Sequence, residues 1–106
     1  MPELFIKALR SDSLTAFAEQ LAVMSQSSPW EECDSVHYPD GRYFRQRFGS
    51  VEVVAQVADD FEYPAADFLL WIWNSKDSEG RMDIMADALT RHGYVLLPDP
   101  PRPKSI

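Results

Sequence analysis

Residues 44–55 read FRQRFGSVEVVA, and the step Gly49-Ser50 between Phe48 and Val51 decides how the surrounding chain is laid out. A glycine and then a small polar residue, flanked by apolar positions, is the composition of a two-residue hairpin turn, in which glycine supplies the positive φ. The turn fixes a ladder. Phe48 faces Val51, Arg47 faces Glu52, Gln46 faces Val53, Arg45 faces Val54 and Phe44 faces Ala55. One face of this hairpin is apolar, and the other carries Arg45, Arg47 and Glu52.

Upstream, residues 33–38 run into Pro39-Asp40-Gly41, where proline presets φ and glycine suits the left-handed position of a three-residue hairpin. Pairing Tyr38 with Arg42 sets Val36 against Phe44 and His37 against Tyr43. The two hairpins then agree on an inside that holds Val36, Phe44, Phe48, Val51, Val53, Ala55 and Val57, with Asp34 and Gln46 at its border. A one-residue slip would send all of them to the opposite side. Downstream, Asp59 to Pro64 forms an acidic, aromatic loop. The following ADFLLWIWN (66–74) reads as a strand apolar on both faces, which belongs in the middle of a sheet or under a cover.

Helical spacing brackets this meander. Leu14, Phe17, Ala18 and Leu21 recur at i, i+3, i+4 and i+7 over Ser13–Met24, with Asp12 or Ser13 as the cap. From Ser78 a second stripe carries Met82, Met85, Ala86 and Leu89, with Asp77, Glu79 and Asp83 near its positive end. Arg91 and His92 lie near its negative end, and Gly93 stands at the left-handed cap. ELFIKAL (3–9) reads as a short strand, with a first helical turn opened by Pro2 as the alternative, and Tyr94 to Leu97 reads as a last strand, while PDPPRPKSI (98–106) is too proline-rich to pack. The expected fold class is α+β: a two-layer sandwich in which two helices cover one face of a mostly antiparallel sheet of five or six strands. One domain spans 1–98 and a proline-rich tail spans 99–106. The element order is also that of an elaborated split βαβ arrangement.

The chain of 106 residues has 17 acidic against 10 basic side chains, a formal charge of -7. Its average field repels phosphate backbones and anionic lipid, so neither nucleic acid nor membrane is an expected partner, and a basic protein is. No apolar run reaches the ~20 residues of a membrane helix, the start lacks the pattern of a signal peptide, and the single cysteine forms no internal disulfide. A cytoplasmic location is expected.

Three groups of residues invite a chemical reading. Glu31, Glu32, Cys33, Asp34 and His37 crowd together, but in an extended strand Cys33 and His37 sit about 13 Å apart at ~3.3 Å per residue. That spacing suits no metal, and neighbouring carboxylates raise a thiol pKa where a nucleophile needs it lowered. No metal, cofactor or catalytic residue is therefore assigned, and the chain reads as a non-enzyme. Asp59, Asp60, Phe61, Glu62, Tyr63 and Asp67 interleave carboxylates with rings, the make-up of a loop that docks a basic protein. On the polar sheet face, Tyr43, Arg45, Arg47, Trp71 and Trp73 form a second candidate interaction face of the residue types found at interface centres.

By general type, being small, acidic and without an assembled catalytic group, the chain is similar to bacterial immunity proteins and antitoxins that block a nuclease toxin. The expected function is inhibition of a basic partner protein such as a nuclease toxin. The alternatives are a structural or regulatory homodimer joined through the Trp/Arg sheet face, and a small-molecule binder around His37, Tyr43 and Arg45.

Overall fold

The Gly49 turn closes with φ of 62° at the glycine, and the β3–β4 ladder has the five pairs that the turn dictates, Phe44↔Ala55 to Phe48↔Val51. In the computed structural model, which describes residues 3–7, 13–49, 51–59, 65–73 and 80–97, this hairpin lies within one six-stranded sheet. The elements in chain order are β1 (Glu3–Lys7), α1 (Leu14–Ser25), β2 (Glu31–Asp34), a 3-10 turn (Pro39–Gly41), β3 (Arg42–Phe48), β4 (Val51–Val57), β5 (Phe68–Trp73), α2 (Arg81–Arg91) and β6 (Val95–Leu96). The strands are ordered β2-β3-β4-β5-β1-β6, and every neighbouring pair is antiparallel. Both β5 and β6 run against the β1 that separates them, so they are parallel to each other and joined through α2, which is a split βαβ unit. The first segment is thus a strand, and the doubly apolar β5 sits centrally between β4 and β1.

Side-chain alternation does the rest. Leu4, Ile6, Phe44, Phe48, Val51, Val53, Ala55, Val57, Phe68, Leu70, Ile72 and Leu96 point toward the helices and pack with Leu14, Phe17, Leu21, Met82, Met85 and Leu89 in one core. Phe17 is its hub: fully buried, stacked on Phe68 with centroids 4.2 Å apart and edge-on to Tyr94 at 5.4 Å. Ser13 is the cap of α1, its Oγ accepting the Ala16 amide at 3.1 Å. At the far end of α2, Gly93 (φ 91°) donates to the Thr90 carbonyl and Tyr94 to the Leu89 carbonyl, the two bonds of a Schellman motif. Trp30 packs on the helix side against Phe48, with centroids 6.0 Å apart, and so does not cover the opposite face. The described part of the second helix starts at Arg81, and Ala88 rather than Ala86 completes its buried stripe. Ser78, Asp77, Glu79 and the tail from residue 98 lie outside the described residues.

The first hairpin departs from its expected register. β2 ends at Asp34, which pairs with Arg42, and Cys33 rather than His37 lies opposite Tyr43. The stretch from Ser35 to Gly41 is a loop. Ser35 donates its amide to the Gly41 carbonyl (2.9 Å) and its Oγ accepts the His37 amide (3.3 Å), while Asp40 holds Arg42 at 3.1 Å. These local polar bonds, together with a Tyr38 ring stacked 4.2 Å from Tyr43, outcompete extension of the strand. Val36 is consequently 92 % exposed instead of inside. The shift is an even number of residues, so the faces of the remaining strands are unchanged.

Two substitutions test this account of the core. Phe17→Ala is expected to lower the unfolding free energy by about 3–5 kcal/mol, enough to threaten a domain of ordinary stability, when measured by urea denaturation. Gly93→Ala, which forces an L side chain into positive φ, is expected to cost roughly 1–2 kcal/mol in the same assay. If either loss fell well below about 0.5 kcal/mol, the contacts at that site would not support the fold as described.

Candidate protein-interaction surface

With both helices on one side, the other side of the sheet presents its alternate residues outward. The ladder aligns Glu31, Arg45, Val54, Trp71 and Glu3 in a single row across five strands. Glu31 and Arg45 form an ion pair at one end of the row. Val54 is only 2 % exposed although it lies on the outer face, because Arg45 and Trp71 flank it there. The Trp71 indole N–H donates to Gln56 Oε1 at 2.7 Å, which fixes the ring while satisfying its one polar atom. Tyr38, delivered by the 35–41 loop, lies over Tyr43 at the edge of the same face.

Electrostatically, the face is paired rather than cationic. The Arg45 hydrogen bond holds the Glu31 carboxyl below the usual carboxylate range and pushes Arg45 upward in turn. On the helix side, Arg42 bonds Glu32 at 3.0 Å and Asp40 at 3.1 Å, and donates to Thr15 Oγ1 at 2.9 Å, tying β3 to α1. Arg47 stands opposite Glu52 in the ladder and is exposed. Trp73 also lies opposite Glu52, from the β5 side. The guanidiniums at Arg42 and Arg45 are thus committed to carboxylates of the chain itself.

Cys33 is half-buried on this face, with its thiol 3.5 Å from Glu31 Oε1. Burial pushes the thiol pKa up, and Glu31 adds to that, against a hydrogen bond from Tyr43 that works the other way. The Tyr43 hydroxyl is raised in turn, chiefly by its bond to Cys33. His37 sits in the loop and is exposed, and Cys33 holds the place opposite Tyr43 that was expected for it. Among the described residues, no group of three His, Cys, Asp or Glu side chains converges as a metal ligand set.

The second surface lies at the sheet end opposite the Gly49 turn, where the β2–β3 and β4–β5 connections both open. There the Ala58 amide donates to the Asp67 carbonyl (3.0 Å) and the Asp67 amide to the Ile6 carbonyl (2.8 Å), which closes the neck of the acidic loop. Asp67 therefore stands opposite Ala58, and Asp59 follows at the loop base; both are exposed, at the same end of the sheet as Asp34 and Asp40. Asp60, Phe61, Glu62 and Tyr63 lie outside the described residues. Sequence reasoning missed the Glu31–Arg45 and Glu32–Arg42 pairs, because they depend on a β2 register that only the Ser35 and Asp40 side-chain bonds set.

Comparison of the chain with protein-family models, with curated proteins and with solved structures finds no match. No helix among the described residues is long and apolar enough to cross a membrane.

The raised thiol pKa has a direct readout. At about pH 8, Cys33 is expected to react with iodoacetamide more slowly than an unstructured peptide thiol, with its rate–pH curve displaced upward. A curve displaced downward would mean that the environment stabilises the thiolate and would overturn the reading of Cys33 as unsuited to act as a nucleophile.

Proposed function

We propose that this protein is a small acidic protein-binding module of the immunity or antitoxin kind, which holds a basic partner such as a nuclease toxin and inhibits it. The observation that carries this reading is the internal pairing of its arginines. Arg42, Arg45 and Arg91 each bond a carboxylate of the chain, so the formal charge of -7 is expressed outward by carboxylates such as Asp34 and Asp59. The pairing also takes these three guanidiniums out of any cationic track of the kind a nucleic-acid binder needs. Grouped carboxylates at one end of a sheet steer a basic protein to that end, and half-buried rings beside them supply contact area. In this role the carboxylates of Asp59, Asp60, Glu62 and Asp67 occupy cationic positions that would otherwise hold substrate phosphate, and Phe61 and Tyr63 anchor. The chain supplies no covalent step. Binding alone blocks the partner.

The test is kinetic. A basic partner co-purified with the tagged chain is expected to lose affinity at least about tenfold between 50 and 300 mM salt, since surface charge pairs are screened over that range. Asp59→Lys combined with Asp60→Lys is expected to slow association on the order of tenfold and to leave dissociation nearly unchanged. Salt-independent affinity, or unchanged association in the charge-reversed protein, would contradict the proposal.

A second reading, a homodimer joined through the outer sheet face, has its own support in the row around Trp71 and Val54, which both helices leave uncovered. It predicts a sedimentation mass of twice 12.1 kDa that Trp71→Ala returns to the monomer value. A monomeric wild-type protein at high concentration would remove it.

A further inference from the structure

At the edge of the sheet, β2 has one bonded side and one open side. Ser35 donates across the ladder to Gly41, so Cys33 with Tyr43 and Glu31 with Arg45, spaced two residues apart from it, are the bonded pairs. The backbone N–H and C=O groups of Glu32 and Asp34 therefore point away from β3, off the end of the sheet, because β2 is its terminal strand among the described residues. A strand with unpaired backbone groups accepts another strand.

Beside this edge, on the helix side, runs a groove of about 430 Å³ between α1 and β3, lined by Val23, Ala22, Trp30 and Phe44, with Glu19 on its wall. Val23 is 65 % exposed, unusual for a helix residue of that size beside a core. Trp30 is 6 % exposed, and its indole N–H is buried without an acceptor among the described residues. The edge and the groove face the same incoming chain, since Glu32 and Asp34 carry their side chains on the groove side, in register with Phe44 and Arg42.

Charge chooses the occupant. Glu31, Glu32, Asp34 and Asp40 stand against Arg42 and Arg45, and Glu19 adds to the excess of negative charge. A second copy of this strand would set carboxylate against carboxylate, which disfavours self-pairing. We propose that β2 is a docking edge for an extended basic segment of a partner protein, which adds as a seventh strand, sets a lysine or arginine beside Asp34 and places an apolar side chain two residues away in the Val23–Trp30 groove. This deepens the proposed function and rests on its basic partner, naming the part of the partner that is held.

The probe is a capped peptide, Lys-Thr-Val-Thr-Lys-Thr-Val-Thr, whose lysines and valines share one face. In the wild-type protein it is expected to protect the Glu32 and Asp34 amides from hydrogen exchange. N-methylation of its Lys and Val amides, or of its Thr amides, is expected to abolish binding for one set only, because only one set faces β2. Replacing its lysines with glutamates is expected to weaken binding at least tenfold. In the protein, Asp34→Pro removes the outward donor and spares the β3 ladder, so it is expected to bind at least tenfold more weakly than Asp34→Ala, which removes the carboxylate alone.

Equal binding of both methylated peptides, absence of protection at residues 32 and 34, or equal affinities of the two Asp34 variants would each overturn the docking edge. The peptide results need only the wild-type protein, so they decide the matter even if Asp34→Pro does not fold. A basic partner that retains steep salt dependence while binding Asp34→Pro and Asp34→Ala alike would sink the edge and leave the charge-steered function standing. Edge protection by the peptide, combined with a protein partner whose affinity ignores salt, would do the reverse.

Discussion

The two-residue period of the sheet, pinned at the Gly49 turn, governs both sides of this molecule. Because successive side chains in a strand point to opposite faces, a single register choice between Phe48 and Val51 decides together where Val51, Val53 and Ala55 go and where Arg45, Glu52 and Val54 go. The first set meets Phe17, Leu21, Met85 and Leu89 and makes the core. The second set faces away from the helices and makes the outer side of the sheet. Core and outer face are two readings of one constraint.

That constraint also organises the charge. β3 brings Arg42 to the inner face and Arg45 to the outer, and β2 supplies Glu32 on one side and Glu31 on the other to meet them. These exposed pairs contribute little to stability, on the order of 0–1 kcal/mol each. Their larger effect is to neutralise the guanidiniums nearest the rings, leaving the field around the sheet end to carboxylates such as Asp34, Asp59 and Asp67. A chain with the same composition and unpaired arginines would present a mixed surface with weaker steering.

Much of this was legible in the residues. The β3–β4 register follows from Gly49-Ser50, both helices follow from apolar spacing and their caps, and the central place of β5 follows from Phe68 to Trp73 being apolar on both faces. The 35–41 loop was not legible. Pro39-Asp40-Gly41 fits a tight hairpin well, and nothing in the local pattern announces that Ser35 and Asp40 bond their neighbours and that Tyr38 leaves the strand to stack on Tyr43. The parity of the faces is the same in either register, so Tyr43, Arg45 and Trp71 share a side as the residues imply. The partners of Arg42 and Arg45 differ, since a four-residue offset exchanges His37 for Cys33 and brings Glu31 and Glu32 into reach. The open edge of β2 and the groove beside it were equally invisible, because they follow from strand order, which short-range patterns do not encode.

The most direct measurement of the central claim is the set of cross-strand nuclear Overhauser contacts between backbone protons in the labelled protein. The account predicts contacts that follow one row, Glu31 to Arg45, Arg45 to Val54, Val54 to Trp71 and Trp71 to Glu3. A row displaced by one residue, with Arg45 opposite Val53 or Ala55 in place of Val54, is the result that would contradict it, for it would turn the charged row toward the helices and the core toward solvent.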